Sequence, residues 1–593
     1  MTNLWIHPSL LLLVGAALLP LLPKSIRATW LLAIPAAVFA LVLTQPHGLH
    51  GSLPFLDWTL VFGRVDALSN VFAIIMALMC LLGTLYALKV EDTGQHVAAW
   101  TYVAGSLGVI YAGDLLVLFL FWELMALSSV FLIWARRTPR SLAAGFRYLL
   151  IHTVGGLALL AGIVLHGTAS GGDFSFTAFS TAEPTLAVWL ILAGILLNAA
   201  VPPLHAWLPD AYPEATFSGS VFLSAFTTKT AVYALCRGFA GFEILIVLGV
   251  IMALYGVIYA FLTNDCRRLL AYHIVSQVGF MVAGIGIGTA MALNGAIAHA
   301  FAHILYKGLL FMGCGAILHM TARSKFTELG GLYKKMPWTL VFTLVGALSI
   351  SGVPLFSGFI SKSMTIAAGY EAHHLWAAYL LMLASIGTFL SIGLKLIYFL
   401  WFGERRCSEE TWRKAADPGW NLNAAMGITA FLCLLLGLLP GILYQILPHP
   451  VDYQPYTSYH LSEVLLLLGA AALGFYFLRH KIAPKPVTTL DLDWPYRKGG
   501  VLLGWIAKSP LQTLDRGWSA LHERGGIQQL MHSARRIGRF DNHVVDGAVD
   551  GIAHTIRHLG ARLRPLQRGA LQQNLTLTFA VVAVILLVFL LFA

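Results

Sequence analysis

The chain has 593 residues, of which 58% are hydrophobic and only 11% charged, well under the roughly one-quarter charged residues of a soluble domain, so water is excluded as its main solvent. The net charge of +11 does not mark a nucleic-acid binder, because the basic residues are scattered through short loops and one C-terminal segment instead of forming an aromatic-studded patch. Six cysteines, Cys80, Cys236, Cys266, Cys314, Cys407 and Cys433, stand far apart with no C-x-x-C pair; no zinc, iron–sulfur or other cofactor is expected here, and any electron transfer falls to partners.

A spanning helix needs about 20 mostly apolar residues. Such runs recur at 8–23, 29–44, 66–88, 97–113, 114–135, 143–167, 185–209, 217–239, 242–263, 269–288, 291–320, 338–370, 374–403, 422–446, 461–479 and 573–593. The fold class is therefore an all-α polytopic membrane protein of about sixteen helices. The first run has no Lys or Arg before it and no A-x-A-like site after it, which reads as a span and not a signal peptide. Counting Lys and Arg in alternate loops gives sixteen on one side and two, Arg64 and Arg237, on the other. By the positive-inside rule the rich side is cytoplasmic and both termini lie outside, in a bacterial-type inner membrane.

Two spans are interrupted. The seventh contains Pro202 and Pro203 in NAAVPPLHAWLPDA, and the twelfth contains Gly352, Pro354 and Gly358 in SISGVPLFSGFISK. Proline removes a backbone donor and clashes with the preceding turn, and a membrane tolerates such breaks only where protein or a watered cavity satisfies the freed groups. Both breaks follow a Val-Pro pair, five spans apart. An odd offset turns one unit upside down relative to the other, which predicts two inverted five-helix repeats with binding near the midplane; the bland alternative is two unrelated proline kinks.

The expected organisation is a transmembrane core over 1–480, an amphipathic lateral segment over 481–570 on the cytoplasmic side, and a C-terminal anchor over 571–593. From 479 to 568 there are 15 Lys and Arg against 7 Asp and Glu. Within it Val545, Val549, Ile552, Ile556, Leu559, Leu563 and Leu566 form a narrow apolar stripe at spacings of four and three. Such a stripe needs a surface: the lipid bilayer, or the flanks of other membrane subunits. A small soluble subdomain is the competing reading.

Ionisable groups in the middle of a spanning helix are functional candidates by default, since each costs at least about 2.5–3.5 kcal/mol on insertion scales. Glu123 is central in DLLVLFLFWELMALSSVFLIWA, and Lys229 in FSGSVFLSAFTTKTAVYALCR. His299, His303 and Lys307 follow one another at spacings of four and share a helix face, and Lys362 follows the second break. Lysine, glutamate and histidine have charged and neutral forms that burial brings close in energy, as proton hand-over requires. Against this stand buried structural carboxylates, lysines bracing helix ends, and histidines bonding helix to helix. A metal on His299 and His303 lacks a third ligand. Arg147, His152 and Lys395 either extend the relay or pair with neighbours. GIGIGT at 284–289 lies inside an apolar span and reads as helix packing, not a nucleotide loop.

Six motifs in order, GDLLVLFLFWELM, PPLHAWLPDAYPEA, TTKTAVYALCR, DCRRLLAYHIVSQVGFM, HAFAHILYKGLLFMG and GVPLFSGFISK, resemble the antiporter-like membrane family whose members include the Mrp-type sodium/proton antiporter proteins of the D type and the L, M and N subunits of complex I. The resemblance covers about residues 60 to 405. It implies a central hydrophilic axis of Glu123, Lys229, Lys307 and Lys362, helped by His299 and His303, with His205 of the second motif as an accessory. One departure stands out: where the family has a lysine on the seventh span, this chain has Asn198. Either Lys229 takes over as partner of Glu123, or conduction differs, or the chain is a partly structural member. DLDWPYRKGG and DNHVVDGAVDGIAHTIRHLG are similar to the tail of the complex I L subunit, where a lateral helix lies along neighbouring subunits.

The expected function is a proton-conducting subunit of a larger membrane complex, carrying protons in exchange for sodium or another monovalent cation. The alternatives are the pumping subunit of a redox complex such as complex I or a membrane-bound hydrogenase, the proton channel of an inorganic-carbon uptake complex, or a transport-deficient scaffold. No catalytic chemistry is expected in the chain itself.

Overall fold

The computed structural model describes residues 5–487, 489–564 and 571–592. The stripe residue Leu566 lies outside the described residues. The chain divides into two compact units, Met1–Asp493 and Trp494–Ala593.

The first unit is a helical bundle. Among the described residues eleven helices of the chain are long and apolar enough to cross a membrane, and Pro8–Leu21, Leu186–Asn198 and Pro337–Ile350 are shorter apolar helices. The helix Thr93–Tyr111 adds polar residues to an otherwise spanning length. Neighbouring helices approach closely where glycine permits it. A Cβ on Gly249 would sit 2.4 Å from the Ala283 nitrogen, and one on Gly286, in the GIGIGT stretch, 2.5 Å from that of Ile246. This seals Ile244–Leu262 against Cys266–Ile287 as small-residue packing does in membranes. The helical pattern has one departure that composition hides: Gly48–Phe55 and Trp58–Val65 pair as an antiparallel hairpin, Phe55 opposite Trp58. Asp114 ties it down, its carboxylate accepting from Val61 N at 2.6 Å and, as an N-cap, from Val117 N at 2.8 Å.

Both proline-bearing spans are broken. Leu186–Asn198 stops before Pro202, and helix resumes at Trp207–Ala211. Pro337–Ile350 stops before Pro354 and resumes at Ser357–Glu371. Ala200 (φ 62°) and Leu355 (φ 77°) take left-handed backbone that side chains rarely adopt. The span Leu375–Phe402 winds in wide π turns from Phe389 to Phe402.

On the side richer in basic loops, ionic contacts fix the end of the first broken span. Arg267, fully buried, donates to the carbonyls of Pro213 (2.6 Å), Ala215 and Thr216 (both 3.0 Å). Arg147 forks onto Asp210 at 2.7 and 3.0 Å.

The second unit contains a nearly unbroken helical run from Gln512 to Leu563, with π turns at Glu523–Ile527 and Asp541–Val545. Its described stripe residues Val545, Val549, Ile552, Ile556, Leu559 and Leu563 are all exposed. The apolar helix Leu571–Phe592 follows.

Candidate functional site: a buried polar axis

Helix Ala290–Thr321 carries the largest share of the axis. His299, His303 and Lys307 are fully buried on it, and the spacing of four brings the imidazoles to 6.2 Å between ring centroids. Ser361 Oγ lies 3.0 Å from His299 Nδ1, and the Tyr306 hydroxyl 3.4 Å from its Nε2. Among the described residues neither nitrogen of His303 nor Lys307 Nζ has a hydrogen-bond partner.

The second break ends in a cation. Lys362 donates from Nζ to Ile350 O at 2.6 Å, the carbonyl set free where the first half-helix stops. It sits 5.1 Å over the Phe280 ring. A charge there also meets the negative end of the half-helix dipole. Gly358 allows the two half-helices to touch, since a Cβ would fall 1.8 Å from Ser349 O. Lys362 opens on a cavity of about 570 Å³, lined also by Ser385, Tyr453, His460 and Glu463.

The first break is built differently. Near its end Leu197 O accepts both the Ala200 backbone N–H and the Trp207 indole N–H, each at 3.0 Å. Asn198 is fully buried, and neither its amide nor the nearby His152 imidazole makes a hydrogen bond of ordinary geometry. Glu123, half-buried, faces the helix Pro139–Ala169: Gly156 leaves room for it, and a Cβ there would lie 2.0 Å from Oε1, which has no partner of its own.

Lys229 points elsewhere. Its Nζ donates to Ser224 O at 2.5 Å and to Thr228 Oγ1 at 3.1 Å. Among the described residues no ion pair joins it to Glu123. The idea that Lys229 replaces a seventh-span lysine as direct partner of Glu123 finds no contact here.

Of the accessory candidates, Arg147 is engaged with Asp210. Lys395 caps Ile244–Leu262 by donating to Phe261 O and, at 2.8 Å, to Thr263 O. His205 lies in the first break, fully buried. Sequence reasoning does not single out His273. It is buried with Nε2 2.7 Å from Ser391 Oγ. Its position inside the tenth span, in AYHIVSQ, is the available signal. Nor does the sequence point to Asp491, which packs on His205 from far along the chain. Among the described residues no cluster of three or more His, Cys, Asp or Glu has metal-holding geometry.

Residues 112–391 match the family described as NADH:quinone oxidoreductase/Mrp antiporter, TM. The chain is 30% identical over 426 residues to hydrogenase-4 component B of Escherichia coli, covering 65% of this chain and 63% of that one. It is 28% identical over 494 residues to Na(+)/H(+) antiporter subunit A1 of Staphylococcus haemolyticus, covering 74% and 61%. The chain thus spans about three-fifths of the length of these two curated relatives. Among solved structures, it superposes on a chain of the Mrp complex from Dietzia sp. with a TM-score of 0.73 at 25% identity, covering 88% of this chain and 62% of that one. A chain of the membrane-bound sulfane sulfur reductase, an archaeal respiratory membrane complex, matches with a TM-score of 0.69 at 25% identity over 98% of this chain and 99% of its own.

Proposed function

With residues 112–391 carrying the antiporter-like transmembrane core shared by NADH:quinone oxidoreductases and Mrp antiporters, we propose that this chain is a proton-conducting subunit of a multi-subunit membrane complex. Glu123, Lys229, His299, His303, Lys307 and Lys362 carry the protons, and sodium or another monovalent cation moves in exchange. The observation that carries this reading is that several of the unsatisfied buried polar atoms lie on or beside these residues. Glu123, His152, Asn198, His303 and Lys307 each bury a polar atom with no protein partner. Buried polar groups are almost always hydrogen-bonded, so a run of such atoms within one bundle calls for internal water, the medium a proton relay needs. Lys362, on the same helix as the second break and open to the 570 Å³ cavity, is the terminal group through which protons leave the axis.

The rest of the architecture follows as part of the same proposal: a core over 1–480 in a bacterial-type inner membrane, both termini outside, the 481–570 segment lying on neighbouring subunits, and 571–593 as the anchor. The exposed apolar stripe of the second unit supports a covered role for it, since contiguous exposed apolar surface marks an interaction site.

The test is proton flux in proteoliposomes of the complex purified in mild detergent, driven by an imposed sodium gradient and, separately, by a membrane potential. Flux that follows the sodium gradient and is lost in Lys362→Ala supports antiport; wild-type rates in Lys362→Ala, Lys307→Ala and Lys229→Ala would overturn the relay. A second reading, a pumping subunit of a redox-driven complex, draws on the end-to-end match to the sulfane sulfur reductase chain. Visible redox-cofactor absorbance in the purified complex would select it.

A further inference from the structure

His205 is fully buried in the non-helical stretch between Leu186–Asn198 and Trp207–Ala211. The acid that meets it comes from 286 positions further along: Asp491 Oδ1 lies 3.3 Å from His205 Nε2, and the Asp491 side chain is itself only 7% exposed. The carboxylate is held from the other side by two phenols. The Tyr272 hydroxyl donates to Oδ2 at 2.5 Å, and the Tyr255 hydroxyl donates to Oδ1. Tyr255 also packs edge-on against the imidazole at 4.6 Å. Among the described residues neither His205 ring nitrogen makes a hydrogen bond of ordinary geometry: Nε2 meets Asp491 as a 3.3 Å ion-pair contact, and Nδ1 is buried without a partner.

We propose that Asp491 and His205 form a carboxylate–imidazole dyad through which protons cross the first helix break, with Asp491 as the positioning residue. The inference rests on the proton-conducting reading. Hydrogen bonding at one ring nitrogen fixes the tautomer and raises the basicity of the other. In this dyad Nε2 keeps its hydrogen on the Asp491 side, 3.3 Å away, and Nδ1 is the free base: it accepts a proton from water on one side of the break, forming an imidazolium whose counter-charge is Asp491, and returns that proton to water on the other side. No other bond changes. A helix broken by two prolines has backbone groups that want water in any case, so the dyad sits where a hydrated lead is cheapest.

The groups facing the dyad are few. Ile244–Leu262 contributes Tyr255, with Tyr259 stacked behind it at 4.4 Å; Cys266–Ile287 contributes Tyr272, which Arg268 and Asp493 influence electrostatically. Beyond the break stand Asp210 and its partner Arg147. Burial alone pushes the Asp491 carboxyl up, but His205 and the two phenols outweigh it and hold it down at about 2. A depressed carboxyl contributes its hold above the ordinary carboxylate range and loses it only as pH falls through about 2. His205 and the two phenols thus keep Asp491 a carboxylate above that range.

The test uses the intact complex in proteoliposomes and compares wild type with Asp491→Asn, His205→Gln and the double variant over pH 5 to 9. Asp491→Asn is expected to slow proton flux by roughly 10- to 100-fold, the usual cost of removing the group that orients a functional imidazole. It is also expected to move the pH–rate profile to lower pH, because the imidazolium loses its counter-charge. His205→Gln should match it, and the double variant should be no worse than either single one. Wild-type flux and profile in Asp491→Asn would overturn the dyad. So would a loss of flux with an unmoved profile and a lowered melting temperature, the signature of a mere brace. A pH-difference infrared spectrum supplies a readout independent of transport. An imidazole band absent from His205→Gln and shifted in Asp491→Asn supports the dyad even if wild type moves no protons, in which case the transport reading fails alone; an unshifted band overturns the dyad.

Discussion

The two broken spans solve one backbone problem with different chemistry. At the second break, the carbonyl left over at Ile350 is met by the Lys362 ammonium, which faces a 570 Å³ cavity. At the first, the Leu197 carbonyl accepts from the Ala200 backbone N–H and from the Trp207 indole, and the buried side chain at the break is the amide of Asn198. A lysine at a helix end does two jobs at once, satisfying backbone and carrying an exchangeable proton; an indole does only the first. The second half of the bundle is thus equipped for charge. In the first half, the proposed proton path has to rely on groups beside the break: Glu123, His152 and His205.

The sharpest way to break this comparison is to remove the cation at the second break. Lys362→Ala deletes the carbonyl's partner and, on the proposed relay, its terminal proton carrier, and proton flux in proteoliposomes is expected to fall by roughly 100-fold or more, the scale of a lost acid–base group. Lys362→Arg keeps the charge and the donor but cannot release a proton, so it should assemble normally and remain slow. A fast Lys362→Arg complex would mean that the lysine is only a structural cap.

The next effect is on the first half. Glu123→Gln is expected to lower flux by roughly 10-fold, since the carboxylate is a proton carrier without a direct lysine partner here. Gly156→Ala approaches the same group sterically: its Cβ would meet Oε1 at 2.0 Å, forcing the carboxylate to a new rotamer. The alanine variant should reproduce most of the glutamine defect with no change in charge, and a wild-type rate would place the working carboxylate away from Gly156.

What the sequence carries and what it hides divide along the same line. The helix breaks are legible because proline and glycine act locally, and the aligned His299, His303 and Lys307 because helical periodicity is local too. Partners are not. That Lys229 turns to Ser224 and Thr228, that Lys395 caps another helix at Thr263, and that Asp491 reaches His205 all depend on how the chain packs in three dimensions, for Lys395 and Asp491 between segments more than a hundred residues apart. The hairpin of Gly48–Phe55 and Trp58–Val65 escapes because its strands lie in a stretch between spans, where a search for long apolar runs does not look. His273 escapes for another reason: a single histidine in an apolar span carries no periodic companion.

Asn198→Lys tests whether the asymmetry itself matters. The new ammonium enters a fully buried site beside His152, on a helix that packs closely on the Gly155 side of the Glu123 helix neighbour, where a Cβ on Gly194 would lie 2.8 Å from Gly155 O. If the first half is limited by its missing cation, flux rises by about 3-fold and the glutamine substitution at Glu123 becomes more damaging in this background than in wild type, a coupling that a double-mutant cycle measures directly. If flux falls as it does in an Asn198→Leu control, the position serves packing, and the neutral first break is a settled feature of how this chain conducts.

The smallest expected effect concerns tuning inside the better-equipped half. The Tyr306 hydroxyl lies 3.4 Å from His299 Nε2, while Ser361 Oγ holds Nδ1 at 3.0 Å. The longer contact is the weaker one, and a hydrogen bond to a neutral partner contributes about 0.5–1.5 kcal/mol. Tyr306→Phe keeps the ring that packs 5.3 Å from His303 and removes only the hydroxyl, so flux should drop by about twofold with no loss of assembly. Ser361→Ala, which frees the shorter contact, should cost more. An order reversed between the two would show that the proton leaves His299 by way of Nε2 toward Tyr306 and His303, and not by way of Nδ1 toward Ser361 and the helix that carries Lys362.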